Sequence, residues 1–214
     1  MLAQKKRIST KLLLSAASLF LILGALTAHY LLEPWGFYWK VSAEETALRM
    51  QYVETAEKYL GCKESDGSHQ KIIDQYNAHK PLALGYEVQY TDSWCSTFVS
   101  SMSIECGFTS IIPTECGCQR HIELFKNIER WQEDENMVPL PGDIIFYDWQ
   151  QTKPGNATGW SDHVGIVVGT KWPFVKVIEG NKDDCVSYRT ILLSDFRIRG
   201  YAQPDFASFI QETP

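Results

Sequence analysis

The chain has 214 residues, 44% of them hydrophobic, enough to bury one ordinary globular core. Its 20 Lys and Arg against 26 Asp and Glu give a formal charge of −6, and four of the basic residues lie before residue 12. From residue 34 onward 16 basic residues face 25 acidic ones, a charge of −9 without any basic stripe interleaved with aromatics, which argues against a nucleic-acid partner.

Lys5, Lys6, Arg7 and Lys11 lead into an apolar run from Leu12 to Leu32. That run is long enough to cross a bilayer, which takes about 20 residues, whereas a secretory-signal core is usually about 7–15. Basic charge before the run and none just after it predicts a cytoplasmic N-terminus with everything else outside, and Trp35, Phe37, Tyr38 and Trp39 at the outer interface. A cleaved secretory signal is the competing expectation; Val41-Ser42-Ala43 is a reasonable cleavage triplet but lies far beyond the apolar core. Either way the remainder of the chain is expected to be exported. The division is residues 1–33 as basic stub and anchor or signal, 34–41 as aromatic linker, and 42–214 as one folded domain.

Ser42-Ala43-Glu44-Glu45 reads as a capping box opening a helix in which Leu48, Tyr52, Ala56 and Tyr59 recur at helical spacing until Gly61. A second short helix is predicted over 68–76 with Ile72, Ile73 and Tyr76 inward, and residues 77–90, with Pro81 and Gly85, read as loop. A third helix over 94–106, ended by Gly107, carries Cys95, Phe98, Val99, Met102 and Cys106, and places Cys95 in its first turn. A fourth is predicted over 120–131 with Leu124, Phe125, Ile128 and Trp131 on one side.

After Pro139-Leu140-Pro141-Gly142 the pattern turns to strands over 143–149, 163–168 and 174–179, joined by turns at Pro154-Gly155-Asn156 and Gly169-Thr170-Lys171. Helices first and strands later predict an α+β domain, N-terminal helices packed on an antiparallel sheet. There is no internal repeat and no low-complexity tract. Asn156-Ala157-Thr158 is a glycosylation acceptor only in a eukaryotic secretory host.

Six cysteines, Cys62, Cys95, Cys106, Cys116, Cys118 and Cys185, are many for an exported chain unless some pair. Cys116 and Cys118 are too close for a zinc knuckle and no second ligand pair follows at metal spacing, so neither a metal nor a cofactor is expected. A structural disulfide using Cys116 or Cys118 is open, its partner unassigned.

The chemistry-bearing residues are Cys95, in Trp94-Cys95-Ser96-Thr97-Phe98-Val99, His163, in Asp162-His163-Val164-Gly165-Ile166-Val167, and Glu179, in Glu179-Gly180-Asn181. A thiolate at a helix N-terminus is stabilised by free N–H groups and the helix dipole. A base can take the thiol proton, and a carboxylate can fix the base's tautomer. If the third strand stays extended to Asn181, Val177, Glu179 and Asn181 share a face, and Asn181 can hydrogen-bond the same histidine. Oxyanion donors are expected from the Cys95 N–H and a neighbouring polar group.

These blocks, together with Pro141-Gly142-Asp143-Ile144-Ile145-Phe146, resemble the CHAP domain, a cysteine- and histidine-dependent amidohydrolase/peptidase family of the papain-like NlpC-type superfamily; the resemblance covers about residues 52–181. It implies a papain-like catalytic domain that hydrolyses amide bonds of peptidoglycan, with Cys95 as nucleophile, His163 as base and Glu179 with Asn181 orienting it. Some members carry an acidic calcium loop before the nucleophile; only Asp92 stands in that region here, so calcium is not carried over. Relatives of the NlpC type usually have a second histidine where Glu179 stands. With no wall-binding repeat after Asn181, targeting is expected to rest on the membrane anchor, which suits wall remodelling or a conjugation or secretion apparatus as partner. The competing expectation is a non-catalytic wall-binding or scaffold protein that keeps the fold without the chemistry.

Overall fold

The computed structural model describes residues 41–133, 137–154 and 159–212, together with Leu23 and Thr27. The expected anchor or signal, the linker up to residue 40 and the Asn156 sequon lie outside these residues, Leu23 and Thr27 apart. Among the described residues no helix is long and apolar enough to cross a membrane.

Ser42 caps α1 (Ala43–Glu57), its hydroxyl accepting the Glu45 N–H at 3.1 Å. The return half of the expected capping box is not made, because Glu45 instead pairs with Arg49 at 2.7 Å. Arg49 in turn reaches Asp143, fully buried, at 2.8 Å and the Pro141 carbonyl at 3.1 Å, which ties α1 to the lead-in of the sheet. Burial outweighs the Arg49 charge and leaves the Asp143 carboxyl above its usual range. Helix α1 stops at Glu57, before the Gly61 expected to end it, and Gly61 with φ 82° completes the turn that follows.

Helix α2 (Gln70–Ala78) buries Ile72, Ile73 and Tyr76 as predicted. Helix α3 (Cys95–Cys106) is the central one, with Phe98, Val99 and Met102 fully buried, and Gly107 in the left-handed conformation closes it. Helix α4 (Cys118–Asn127) corrects the reading over 120–131: it starts two residues earlier and ends four earlier. Glu129 with φ 58° breaks the helix, and Trp131, which had fitted the helical spacing, pairs in a strand and packs on Phe146 with ring centroids 5.5 Å apart.

The described residues form six strands, β1 (Trp131–Gln132), β2 (Ile144–Tyr147), β3 (His163–Lys171), β4 (Phe174–Lys182), β5 (Cys185–Leu192) and β6 (Ile198–Ala202). They form one antiparallel sheet in the order β1-β6-β2-β3-β4-β5. The fold is thus α+β, as the element order predicted. The turn expected over 169–171 falls instead at Trp172 and Pro173, since β3 absorbs those residues after a register shift between Val167 and Gly169. Strands β1, β5 and β6 and the C-terminal α5 (Phe206–Glu212) were not anticipated; Phe206 is buried beside Tyr52 and Phe108.

The main core lies between the helices and one face of the sheet, where Phe98, Val99 and Met102 meet Ile144, Phe146, Val164, Ile166 and Ile178. A smaller cluster of Ile145, Tyr147, Val167, Val175, Val177 and Tyr201 fills the other face. Gly180 sets the spacing between α3 and β4: a Cβ there would stand 2.4 Å from Phe98 Cβ and 2.9 Å from Trp94 Cζ3.

Candidate active site

Trp94 precedes α3, fully buried, with its indole N–H donated to Glu64 at 2.9 Å and its ring against His69. This anchor holds the first turn of α3, and Cys95 is the first helical residue. No side chain caps that terminus, so its leading N–H groups are left for charge at the sulfur or at a bound carbonyl. Cys95 Sγ lies 3.4 Å from Cys118 Sγ, and His163 and the Ser96 N–H also act to lower its pKa. The Cys118 S–H bond, with the His163 hydrogen bond and charge, outweighs burial and holds the Cys95 thiol well below its ordinary value. Cys118 is pushed the other way, first by its bond to Cys95 and then by burial. The two shifts together favour a thiolate at Cys95 that accepts a hydrogen bond from the Cys118 thiol.

His163 opens β3, directly across from Tyr147 on β2, whose ring stacks on the imidazole at 5.9 Å. Its Nε2 meets Glu179 Oε2 at 3.1 Å, which leaves Nδ1 for the sulfur. Burial opposes charge on this ring, but the hydrogen bonds and charges of Cys95 and Glu179 prevail and raise its pKa to about 9. Glu179 on β4 is fully buried and also accepts from Arg189 Nε on β5 at 2.7 and 2.9 Å. His163 and Arg189 overcome the cost of burial and keep the Glu179 carboxyl below its usual value. Arg189 itself is held over the Trp149 ring at 4.5 Å.

Gly165 is what lets the carboxylate approach. A Cβ at that position would stand 2.5 Å from Val177 Cγ1 and 2.7 Å from Glu179 Cγ, so any side chain would displace Glu179 from the imidazole. The two glycines of the sequence blocks thus have separate tasks, Gly180 admitting α3 to the sheet and Gly165 admitting Glu179 to His163.

Cys95, His163 and Glu179 are brought together as the sequence suggested; Asn181 is not joined to them. The ladder shifts register between Glu179 and Lys182, and Asn181 has φ 55°, so the simple alternation that would have aimed it at His163 is broken. Its side chain makes no hydrogen bond among the described residues. The sequence reading also missed Arg189, Tyr147 and Cys118. Arg189 lies in a strand with no clear alternation, and nothing in the spacing of Cys118 pointed to Cys95. Asp92, the lone acid before the nucleophile block, accepts from Tyr86 Oη at 2.7 Å and the Gln89 N–H at 2.8 Å. All six cysteines are free thiols, so the disulfide left open at Cys116 or Cys118 is not formed.

A thiolate on a helix start, an imidazolium beside it and a buried carboxylate behind the imidazole make up the equipment of thiol-dependent acyl transfer. The comparison with known families agrees in kind: residues 85–181 match the family model of the CHAP domain, a cysteine/histidine-dependent amidohydrolase/peptidase domain. No curated protein and no solved structure matches the chain.

Proposed function

We propose that the protein is a papain-like cysteine amidase or endopeptidase that hydrolyses amide bonds of bacterial peptidoglycan, exported and held at the membrane by the apolar run before residue 33. The observation that carries the reading is the arrangement of Cys118 against Cys95 and of Arg189 against Glu179 against His163, in which the neighbours lower the Cys95 pKa and raise that of His163. The Cys95 thiolate attacks the amide carbonyl, and the oxyanion is met by N–H groups at the start of α3. His163 gives its Nδ1 proton to the leaving amine as the C–N bond breaks, leaving an acyl-thioester. A water then loses a proton to His163, attacks the thioester and releases the carboxylic acid, and the proton returns the site to its ion pair. Glu179 holds Nε2–H throughout, and Arg189 keeps Glu179 ionised. Asn181, two residues beyond, is assigned a part in holding substrate rather than the imidazole. The family match and the charge of −9 beyond residue 33 support a wall substrate over a nucleic acid, and the apolar run supports an outward-facing domain in contact with wall or conjugation machinery.

Digestion of purified peptidoglycan by the full chain, followed by mass spectrometry of the released muropeptides, tests the reading because new amine and carboxyl termini identify the bond cut. Cys95→Ala is expected to lower turnover by about 10⁴–10⁶-fold. Undiminished turnover in that variant would remove Cys95 as nucleophile, and folded wild-type protein that releases nothing would favour the scaffold reading.

A further inference from the structure

We propose that Cys95 and Cys118 form a reversible disulfide that switches the site off under oxidants of the peroxide class and protects the nucleophile from irreversible oxidation. The two sulfurs are 3.4 Å apart, each on the first residue of its helix, and 4% and 9% of the two residues is exposed. A disulfide needs about 2.05 Å, so side-chain rotations that close about 1.4 Å suffice at the sulfurs.

The proximity is built rather than incidental. The turn that delivers Cys118 is pinned by Glu115, 1% exposed, whose Oε1 accepts the N–H groups of Cys116 at 2.9 Å and Gly117 at 3.1 Å, while its Oε2 accepts from Arg120 at 2.9 Å. The same residue's backbone is laced to α3: its carbonyl accepts the hydroxyls of Ser96 and Ser100, and its N–H donates to Ser100 at 2.8 Å. Further along α4, His121 Nδ1 lies 2.9 Å from that same Ser96 hydroxyl. The starts of α3 and α4 are thereby fixed to each other by hydrogen bonds on both sides of the sulfur pair. Chain placed this firmly puts a second thiol against the Cys95 sulfur at the start of α3.

The chemistry balances with one peroxide. The Cys95 thiolate attacks a peroxide oxygen, the O–O bond breaks, and Cys95 becomes a sulfenic acid while hydroxide leaves and takes up a proton as water. Cys118, losing its proton to solvent, attacks the Cys95 sulfur; the S–O bond breaks, a second hydroxide leaves and is protonated, and the S–S bond forms. Two thiols and one peroxide give one disulfide and two waters. A dithiol reductant reverses the change by thiol–disulfide exchange and is itself oxidised to a disulfide. Without Cys118 the sulfenic acid would persist and go on to the sulfinic acid, which a dithiol cannot reduce.

The consequence for turnover rests on the amidase reading; the formation of the bond does not. The full chain is treated with hydrogen peroxide, free thiols are alkylated, and peptides are mapped by mass spectrometry without reduction. Wild-type protein is expected to yield one cross-linked peptide pair joining Cys95 to Cys118, lighter by two hydrogens, and dithiothreitol should restore the alkylation of both. Cys118→Ser is expected to give no cross-link, to accumulate two added oxygens on Cys95, and to recover at least about tenfold less Cys95 thiol after reduction. Absence of the Cys95–Cys118 peptide in oxidised wild type, or equal recovery in the variant, would overturn the proposal. The wild-type map needs no variant to fold and no substrate to be known. Cross-linked but never active protein would sink the amidase reading alone.

Discussion

Replacing Gly180 by alanine tests whether the distance between α3 and the sheet sets the chemistry. The added Cβ would sit 2.4 Å from Phe98 Cβ and 2.7 Å from Phe98 Cγ, where ordinary contact begins near 3.4 Å, so α3 must withdraw by about 1 Å. Neither contacting atom is the far end of a flexible side chain, which makes local relief costly. Overpacking of this kind costs about 1–3 kcal/mol, and at about 2–4 °C per kcal/mol for a domain of this size the melting temperature should fall by about 2–12 °C. Cys95 travels with α3 while His163 and Glu179 stay with the sheet, and a misplacement of about 1 Å typically lowers the rate by about 10²-fold. The comparison variant is Gly107→Ala at the far end of the same helix. There a Cβ meets nothing within 4 Å but suffers the strain of φ 72°, so stability should fall while the site stays in place. Melting temperature, kcat and the rate of iodoacetamide labelling of Cys95 are read for both. If Gly180→Ala loses stability but keeps wild-type kcat and labelling, the helix spacing does not govern the sulfur–imidazole contact and the reasoning fails.

Glu179→Gln should keep the fold and lower kcat by about 10- to 10⁴-fold with little change in KM, measured on muropeptide release, because the imidazolium loses the charge behind it. Arg189→Met leaves a fully buried carboxylate with His163 as its remaining cationic partner and is expected to destabilise by about 2–3 kcal/mol, read from denaturant unfolding at pH 7. Labelling of Cys95 by iodoacetamide should already be fast below neutral pH, where an ordinary thiol is slow, and turnover should decline as pH rises through about 9 and His163 loses its proton. Since the His163 pKa rises on folding from 6.5 to about 9, its stabilisation is complete below 6.5 and is lost as pH climbs through 9. Glu179, lowered from 4.5, acts on the other flank, stabilising above 4.5 and ceasing to do so as pH falls through its folded value. Melting temperature followed across pH in wild type and Glu179→Gln separates the two flanks.

The helical half of the fold could be read because α1, α2 and α3 carry apolar residues at helical spacing, with Ser42 capping the first and Gly107 stopping the third; the end of α1 before Gly61 and the shift of α2 from 68–76 to Gln70–Ala78 had no such marker. Strands β2, β3 and β4 are apolar runs and announced themselves the same way. Strand β5 gave no such sign, since Cys185 to Leu192 alternates poorly and half of its residues are only half-buried. Trp131 misled because one residue, Glu129 in a left-handed conformation, converts a helical period into a strand without any glycine or proline to mark it. At the site, types of residue and their order were enough to name Cys95, His163 and Glu179 as candidates. Asn181 failed for a reason local spacing does not carry, the register shift after Glu179.

Arg189 and Cys118 carried no mark in the sequence, although each lies within a few tens of residues of its partner, and both bear on where the site holds its charge. A Cys–His–Glu set alone could hold its proton on any of three groups. Arg189, from β5, draws the carboxylate's charge toward itself with two short contacts and so keeps Glu179 from taking the proton off Nε2. Cys118, from α4, donates to the other end of the series and favours the charged sulfur. Between these two the balance favours the proton on His163, whose pKa is raised to about 9, where the proposed mechanism needs it. The same donor that steadies the thiolate is also the nearest group able to trap it once oxidised, so an amino acid at position 118 that only donated, such as serine, would preserve one function and lose the other.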